Sequence, residues 1–150
     1  MQGPNVTPGY WRRPEETAKA LSDDGWFRSG DVGVADDDGY VRISDRIDDM
    51  IISGGENVYP AEVEGALYGH PAVAECAVIG VPDGTWGEVG KALVVLRPEV
   101  KIEHADLLAY LDGRLARFKI PKYVEFVPQL PRNAAGKVLK GQLRTVYGAP

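Results

Sequence analysis

MIISGGENVYPAEVE, residues 50–64, carries the signals of a β-hairpin that leads directly into a helix. Apolar residues flank the loop Ser53–Asn57, whose two glycines permit the positive φ angles of a tight turn. Pro60 suits the first position of a helix, and Val63 and Leu67 then fall on one helical face. This stretch therefore predicts two short strands followed by a helix with one apolar side.

The chain beyond this helix alternates between strand and helix signals. Three stretches of apolar or alternating residues predict strands: Val73–Val81, Lys91–Leu96 and Tyr123–Val127. Two sets of apolar residues at helical spacing predict helices: Leu107, Leu108, Leu111 and Leu115, then Leu139, Leu143 and Val146. This order of elements predicts an α+β fold, a small two-layer sandwich with its helices on one face of a mostly antiparallel or mixed sheet.

Residues 1–45 differ in composition from the rest of the chain. They are rich in Gly, Pro and Asp, and only short pieces such as Trp26–Arg28 and Tyr40–Ile43 are typical of strands or hairpin arms. Their few apolar residues cannot form a core alone. We therefore expect residues 1–45 to be a hairpin-rich remnant at the edge of a larger domain, and residues 46–150 to form a small domain.

Composition excludes several classes of protein. The net charge of −5 argues against a nucleic-acid binder that relies on overall positive charge. The single cysteine excludes an internal disulfide framework, and no Cys/His cluster has zinc-site spacing, so no metal site is expected. No apolar run approaches the roughly 20 residues of a transmembrane helix. The first residues also lack the pattern of a signal peptide, so a cytoplasmic protein is expected.

Three segments carry candidate chemistry, and each has an ordinary structural alternative. Asp31 lies between glycines, where a carboxylate can accept two hydrogen bonds from a ribose diol or simply stabilise a turn. The charged stretch Ser44–Glu64 fits either a hinge or a solvated loop. Lys137 follows small residues and a glycine, where its ammonium could reach an anionic phosphoryl or carboxylate group or serve as a plain surface lysine.

Taken together, the three segments resemble, in order and spacing, the C-terminal half of the adenylate-forming enzymes. That family includes acyl- and aryl-CoA synthetases, luciferases and peptide-synthetase adenylation domains. Phe27–Asp31 resembles its Tyr/Phe-Arg-Thr-Gly-Asp motif, Asp45–Glu64 its hinge and hairpin, and Leu130–Lys137 its terminal lysine motif. Gly3–Thr17 resembles the segment just upstream, so the resemblance covers nearly the whole chain. The hairpin resembles the CoA-ligase branch.

The resemblance implies a role for each matching residue. Asp31 would hold the ribose hydroxyls of adenosine, and Arg46 would contact the same nucleotide. Asp48 matches the hinge about which the small domain swings between two half-reactions. Lys137 matches the lysine that bridges ATP and the carboxylate during acyl-adenylate formation.

The resemblance also implies a CoA site. Ser53, Gly54, Gly55 and Glu56 would line a pantetheine tunnel, since glycines let a backbone approach a thin ligand closely. Trp86 and Phe118 match aromatics near the CoA nucleotide, although either could equally be a packed core aromatic. Arg114, Arg117, Lys119 and Lys122 form a basic cluster that suits the phosphates of CoA or a solvated helix end. Ile120 stands where a related aryl-CoA ligase pattern has a basic residue.

The activity implied by the resemblance is that of an ATP-dependent acyl-CoA synthetase, acting on a fatty or aromatic acid. A carboxylic acid and ATP would give acyl-AMP and pyrophosphate, and CoA would then displace AMP. The partner would be a large N-terminal domain that binds most of the ATP and its Mg²⁺, so this chain alone is expected to be inactive. Two alternatives stay open: a stand-alone CoA- or pantetheine-binding or complementing module, and a carrier-loading or luciferase-like enzyme. Cys76, His70 and His104 are expected to be structural residues.

Overall fold

The computed structural model describes residues 1–149 and divides them into two compact units, which separate between Asp48 and Asp49. The first unit contains helix α1 (Pro14–Ala20) and an antiparallel hairpin of β1 (Asp31–Ala35) and β2 (Val41–Arg46). Within residues 1–48, no residue is fully buried. The first unit therefore has no core of its own, as its composition predicts.

The second unit contains a five-stranded mixed sheet and three helices. Its hairpin and first helix follow the predicted stretch, with Pro60 at the start of the helix. The elements are β3 (Ile51–Ser53), β4 (Glu56–Val58), α2 (Pro60–Tyr68), β5 (Val73–Asp83), β6 (Gly87–Leu96), α3 (His104–Leu111), β7 (Tyr123–Phe126) and α4 (Lys140–Tyr147). A short 3₁₀ turn, Arg117–Lys119, precedes β7.

The long strand β6 organises this sheet. It pairs antiparallel with β5 over the length of both strands, from Val73↔Leu96 to Asp83↔Gly87. On its other side it pairs in parallel with β7 and, through Ser53↔Gly87, with β3 of the hairpin. The hairpin and the β5–β6 turn therefore lie together at one end of the sheet.

Both faces of the sheet are covered. On one face, α2 and α3 pack on alternate residues of the central strands, such as Val78 and Val94. On the other face, Leu143 of α4 packs on the intervening residues, such as Ile79 and Leu93. The predicted α+β class with a mixed sheet is confirmed, but the placement of all helices on one face is wrong. An amphipathic pattern identifies the buried side of a helix and not the side of the sheet that it covers.

Local differences from the prediction are concentrated in the first unit. Helix α1 was not predicted, although Pro14 at its start with Glu15 and Glu16 in its first turn is a helix-start signal. The predicted strand Trp26–Arg28 is reduced to a single isolated bridge between Leu21 and Phe27. None of the helices within residues 1–149 has the length and apolarity required to cross a membrane.

Candidate functional site

The hairpin β3–β4 turns through two glycines, and the side chain of Trp86 lies against the first of them. Gly54 and Gly55 have φ angles of 60° and 88°, as in a type I′ turn. The Gly54 N–H donates to the Trp86 carbonyl at 2.9 Å. A Cβ at position 54 would lie 2.6 Å from Cε3 of Trp86. Position 54 therefore requires glycine both for its backbone angle and for the approach of the indole ring.

Asp83 fixes the β5–β6 turn that carries Trp86. Its carboxylate accepts a hydrogen bond from Lys122 Nζ at 2.6 Å and from the backbone N–H groups of Thr85 and Trp86 at 2.9 and 3.0 Å. The Asp83 side chain is only 5% exposed. The Lys122 hydrogen bond, followed by the two backbone donors, lowers the pKa of Asp83 from 3.8 to about 2. One carboxylate thus positions both Trp86 and Lys122.

The hairpin, this turn and the 3₁₀ turn enclose a groove of about 660 Å³. The exposed rings of Trp86 and Phe118 and the buried Val89 give it apolar walls, and Arg117 and Lys122 add positive charge. The lining residues are Ser53, Gly54, Glu56, Trp86, Val89, Arg117, Phe118 and Lys122. Such a groove can take a thin ligand that combines an apolar or stacking part with phosphate groups.

The groove brings together six of the eight residues that the sequence assigns to CoA: Ser53, Gly54, Glu56, Trp86, Phe118 and Lys122. Gly55 and Lys119 do not line it. The Lys119 ammonium instead binds both carboxylate oxygens of Glu62, at 2.7 and 2.8 Å. The roles of these residues in binding CoA remain predictions.

Lys137 lies on a loop that is held by its own side chains. The Asn133 carboxamide oxygen accepts hydrogen bonds from the N–H groups of Ala135 and Lys137, at 3.0 and 2.9 Å. Arg132 donates to the Gly136 carbonyl at 2.6 Å and to the Glu75 carboxylate at 2.8 Å. Among residues 1–149, the exposed Lys137 ammonium has no hydrogen-bond or ion-pair partner. The backbone of Lys137 is fixed while its charge is available.

The groove and the Lys137 loop lie at opposite ends of strand β5. The loop is tied to Glu75 near the start of β5, and the groove is tied to Asp83 at its end. Eight residues of extended strand between these two anchors span roughly 26 Å. The structure therefore does not bring Lys137 into the groove.

In the first unit, Asp31 and Arg46 are paired across the hairpin. Their positions are register partners, and Arg46 Nε lies 3.4 Å from the Asp31 carboxylate. Gly30, with a φ angle of 73°, accepts a hydrogen bond from the Ile47 N–H at 2.8 Å and closes this end of the hairpin. The Asp31 side chain keeps 24% of its surface exposed, so it has room to accept hydrogen bonds from a ligand.

Asp48 is exposed in a one-turn 3₁₀ helix, Ile47–Asp49. The division between the two compact units follows it directly. This is the location that a hinge residue requires.

The remaining candidate groups have structural environments. Burial raises the pKa of the Cys76 thiol to about 12, which keeps it protonated and unreactive. His70 accepts a hydrogen bond from the Ala72 N–H at 3.1 Å and lies edge-on to Tyr110, while the His104 ring lies against Phe126. Within the described residues, no group of three or more His, Cys, Asp or Glu side chains could hold a metal ion.

The structure adds Asp83 and Val89 to the candidate site and separates Arg117 from its neighbours in the basic cluster. The sequence offered a partial signal for Asp83, because aspartate followed by glycine is typical of a turn. It offered no signal for Val89, which looks like any other strand residue. Arg117 differs from Lys119 and Lys122 because these two lysines form ion pairs with residues distant in the chain. The sequence offered no signal of those pairs.

This α+β unit, with its glycine hairpin and an exposed lysine on a loop, resembles the C-terminal domain of adenylate-forming enzymes. The sequence profile described as the AMP-binding enzyme C-terminal domain matches residues 62–137, about half of the chain. The chain belongs to this family, and the family expected from the sequence is confirmed.

Several relatives are named as CoA ligases. A feruloyl-CoA synthase of Amycolatopsis sp. is 59% identical over 148 residues, which cover 99% of this chain and 30% of the relative. A long-chain-fatty-acid–CoA ligase of Mycobacterium tuberculosis, FadD13, is 53% identical over 140 residues, 93% of this chain and 27% of the relative. The chain thus spans about 30% of the length of these relatives.

The fold also matches solved structures. The ATP-bound structure of MatB from Rhodopseudomonas palustris superposes with a TM-score of 0.90 at 50% identity, covering 98% of this chain and 29% of that protein. The structure of the same enzyme without ligand gives a TM-score of 0.70 with the same coverage. The two MatB structures therefore differ from each other over the part that this chain matches.

Proposed function

We propose that this chain forms the C-terminal part of an ATP-dependent acyl-CoA synthetase. The overall reaction converts a carboxylic acid, ATP and CoA into acyl-CoA, AMP and pyrophosphate. The observation that carries the proposal is the anchoring of two different candidate sites at the two ends of one strand. The loop of Lys137, whose ammonium has no partner among residues 1–149, is tied to Glu75 near the start of β5, and the aromatic, cationic groove is tied to Asp83 at its end.

Lys137 acts in the first half-reaction. A carboxylate oxygen of the acid attacks the α-phosphorus of ATP, the new C–O–P linkage of the acyl-adenylate forms, and pyrophosphate leaves with the bonding electrons. This step brings several negative charges together, so an ammonium group placed beside them stabilises the developing charge. The absence of a partner for Lys137 among residues 1–149 supports this role, because no carboxylate of these residues has to be displaced first.

The groove acts in the second half-reaction. The CoA thiol loses its proton and attacks the acyl carbonyl, and AMP leaves with the bonding electrons. The glycine turn at Gly54 gives the thin pantetheine arm a close approach to backbone, while Trp86 and Phe118 offer aromatic surfaces to the nucleotide. The adenine and phosphates of CoA would then lie toward the cationic side of the groove.

The two half-reactions require two orientations of the second unit. The Lys137 loop and the groove are anchored roughly 26 Å apart along β5, so they cannot both face a single reaction centre at the same time. A swing about Asp48 would present them in turn. The unit boundary directly after Asp48, and the difference between the ATP-bound and unliganded structures of MatB, both support this proposal.

The nucleotide, a further domain and the acid complete the proposal. Asp31 accepts hydrogen bonds from the ribose hydroxyls of the adenylate, and Arg46 contacts the same nucleotide. A large N-terminal domain, as the threefold longer relatives imply, binds most of the ATP with its Mg²⁺ and selects the acid. The relatives are named for ferulate and for long-chain fatty acids, so an aromatic or fatty acid is the substrate class, in a cytoplasmic enzyme.

The first test is ATP–pyrophosphate exchange by the intact enzyme over a panel of aromatic and fatty acids. Lys137→Ala should reduce exchange roughly 100- to 1,000-fold, the usual cost of removing one charge-stabilising group. Lys101→Ala is the matched control, because Lys101 is also an exposed lysine of the second unit without a partner among the described residues. Exchange that survives the Lys137 substitution contradicts the assignment. No exchange with any acid favours the CoA-binding module instead.

A chimera removes the dependence on an unknown acid. Residues 2–149 would replace the matched part of the Amycolatopsis feruloyl-CoA synthase, with ferulate as the substrate. We expect ferulate-dependent exchange and feruloyl-CoA formation that both require the second unit, with exchange lost in the Lys137→Ala chimera. A chimera that folds and binds ATP but forms no adenylate contradicts the proposal. This chain by itself should catalyse neither half-reaction.

A further inference from the structure

We infer that Arg117 is the residue of the groove that binds a phosphate group of CoA, in place of the basic residue that is missing at position 120. The inference rests on the proposed function for the identity of the ligand. It depends on the charges around the groove, which the sequence pattern alone does not distinguish.

Among the described residues, Arg117 is the cation of the groove that has no protein partner. It lines the groove beside Phe118 at the start of the 3₁₀ turn. Within residues 1–149, its side chain forms no hydrogen bond or ion pair. It also borders a second hollow that includes Asp112, and no ion pair joins these two described residues. A guanidinium group without a partner can offer two parallel N–H donors to a phosphate.

The neighbouring cations are engaged with protein groups. Lys119 binds both carboxylate oxygens of Glu62, and Lys122 binds the nearly buried carboxylate of Asp83. The Arg114 guanidinium lies 3.9 Å from the centre of the Tyr110 ring and donates to the Tyr110 carbonyl. Each of these side chains would have to weaken an existing contact to bind a phosphate, and Arg117 would not.

The residue at position 120 supports the assignment to Arg117. Ile120 is half-buried and packs against the core that α2 and α3 cover. An apolar side chain in this environment cannot bind phosphate, so a cation other than residue 120 has to supply the charge. Arg117 is three residues away and faces the groove.

The test compares three thiol substrates in the intact enzyme: CoA, dephospho-CoA, which lacks the 3′-phosphate, and pantetheine, which lacks all phosphates. Arg117→Gln should raise the KM for CoA roughly tenfold, the worth of a charge-assisted hydrogen bond, and leave the KM for pantetheine unchanged. The KM of Arg117→Lys for CoA should lie between those of the wild type and Arg117→Gln, because a point charge replaces the two parallel donors of the guanidinium group. Arg97→Gln, an exposed arginine of the same unit outside the groove, should match the wild type.

Two results would overturn the inference: an unchanged KM for CoA in Arg117→Gln, or an equal rise for CoA and pantetheine, which would indicate a structural effect. ATP–pyrophosphate exchange should not change in any of these variants, so failure of the proposed function is recognised separately. If no acid supports exchange, calorimetric titration of the 150-residue chain with CoA and pantetheine decides the matter. Weaker CoA binding by Arg117→Gln, but not by Arg97→Gln, supports the inference. CoA binding by Arg117→Gln that equals wild-type binding overturns it.

Discussion

At the residue scale, the candidate site is organised by which charges are paired. Lys137 and Arg117 are available to ligands, while Lys119 and Lys122 are held by Glu62 and Asp83. The sequence predicts the positions of these cations from their motifs. It cannot predict which are paired, because Lys119 and Glu62 are 57 residues apart and Lys122 and Asp83 are 39 apart. Pairing at such separations is a property of the folded unit.

The loop of Lys137 depends on a contact of this kind. Arg132 joins the Gly136 carbonyl to the Glu75 carboxylate on β5, so loss of Glu75 should let the loop drift. We expect Glu75→Gln to lower the rate of acyl-adenylate formation by up to about 100-fold, the cost of a displacement of about 1 Å at a reacting group. Transfer of a supplied acyl-adenylate to CoA should be unaffected. Both half-reactions would be measured separately in the intact enzyme.

Glu62→Gln is the matched control for this prediction. Glu62 and Glu75 are similarly exposed, 42% and 40%, and each forms one short ion pair, but Glu62 does not touch the Lys137 loop. Adenylation should be normal in Glu62→Gln. Equal losses in adenylation by both variants would show that the Glu75 effect is general destabilisation and not positioning.

At the scale of elements, the hairpin and the first helix of the second unit were predictable because their signals are local. Two adjacent glycines and Pro60 determine the turn and the helix start within a few residues. The side of the sheet covered by α4 was not predictable. It depends on the path of the chain after β7, which no periodicity in Leu143 and its neighbours records.

The environment of Asp83 in the β5–β6 turn leads to a prediction about stability in acid. The lowered pKa of Asp83 means that the folded state favours its ionised form. The associated stability is fully present above the unfolded value near 3.8 and is lost as the pH falls toward about 2. We therefore expect Asp83→Asn to destabilise the chain at pH 6 and to have a shrinking effect between pH 4 and pH 2.

The measurement is the urea midpoint of wild-type and variant chains across this pH range. Asp112→Asn, an exposed aspartate of the second unit with no ion pair among the described residues, serves as the control. Its difference from the wild type should stay small throughout. A difference between wild type and Asp83→Asn that is constant with pH would show that the Asp83 charge is not what stabilises the turn.

At the scale of the whole molecule, the chain has a self-sufficient unit and a unit that lacks a core. The sequence indicates this asymmetry through the change in composition near residue 45, and the structure places the division a few residues later, after Asp48. Apolar side chains on the hairpin of the first unit, such as Tyr40 and Val41, remain exposed. An unburied apolar surface of this kind is typical of a segment that packs against more protein.

The proposed hinge at Asp48 can be tested directly. Asp48→Pro fixes φ near −65°, a value that suits the 3₁₀ turn Ile47–Asp49 and opposes rotation away from it. A bias of about 1.4 kcal/mol between the two orientations would shift their ratio about tenfold. We therefore expect one half-reaction to fall about tenfold more than the other when exchange and thioester formation are measured separately. Asp48→Ala removes the same side chain without fixing φ and should reduce neither. Equal loss of both half-reactions in Asp48→Pro, with a lowered urea midpoint, would indicate misfolding and count against a hinge at this residue.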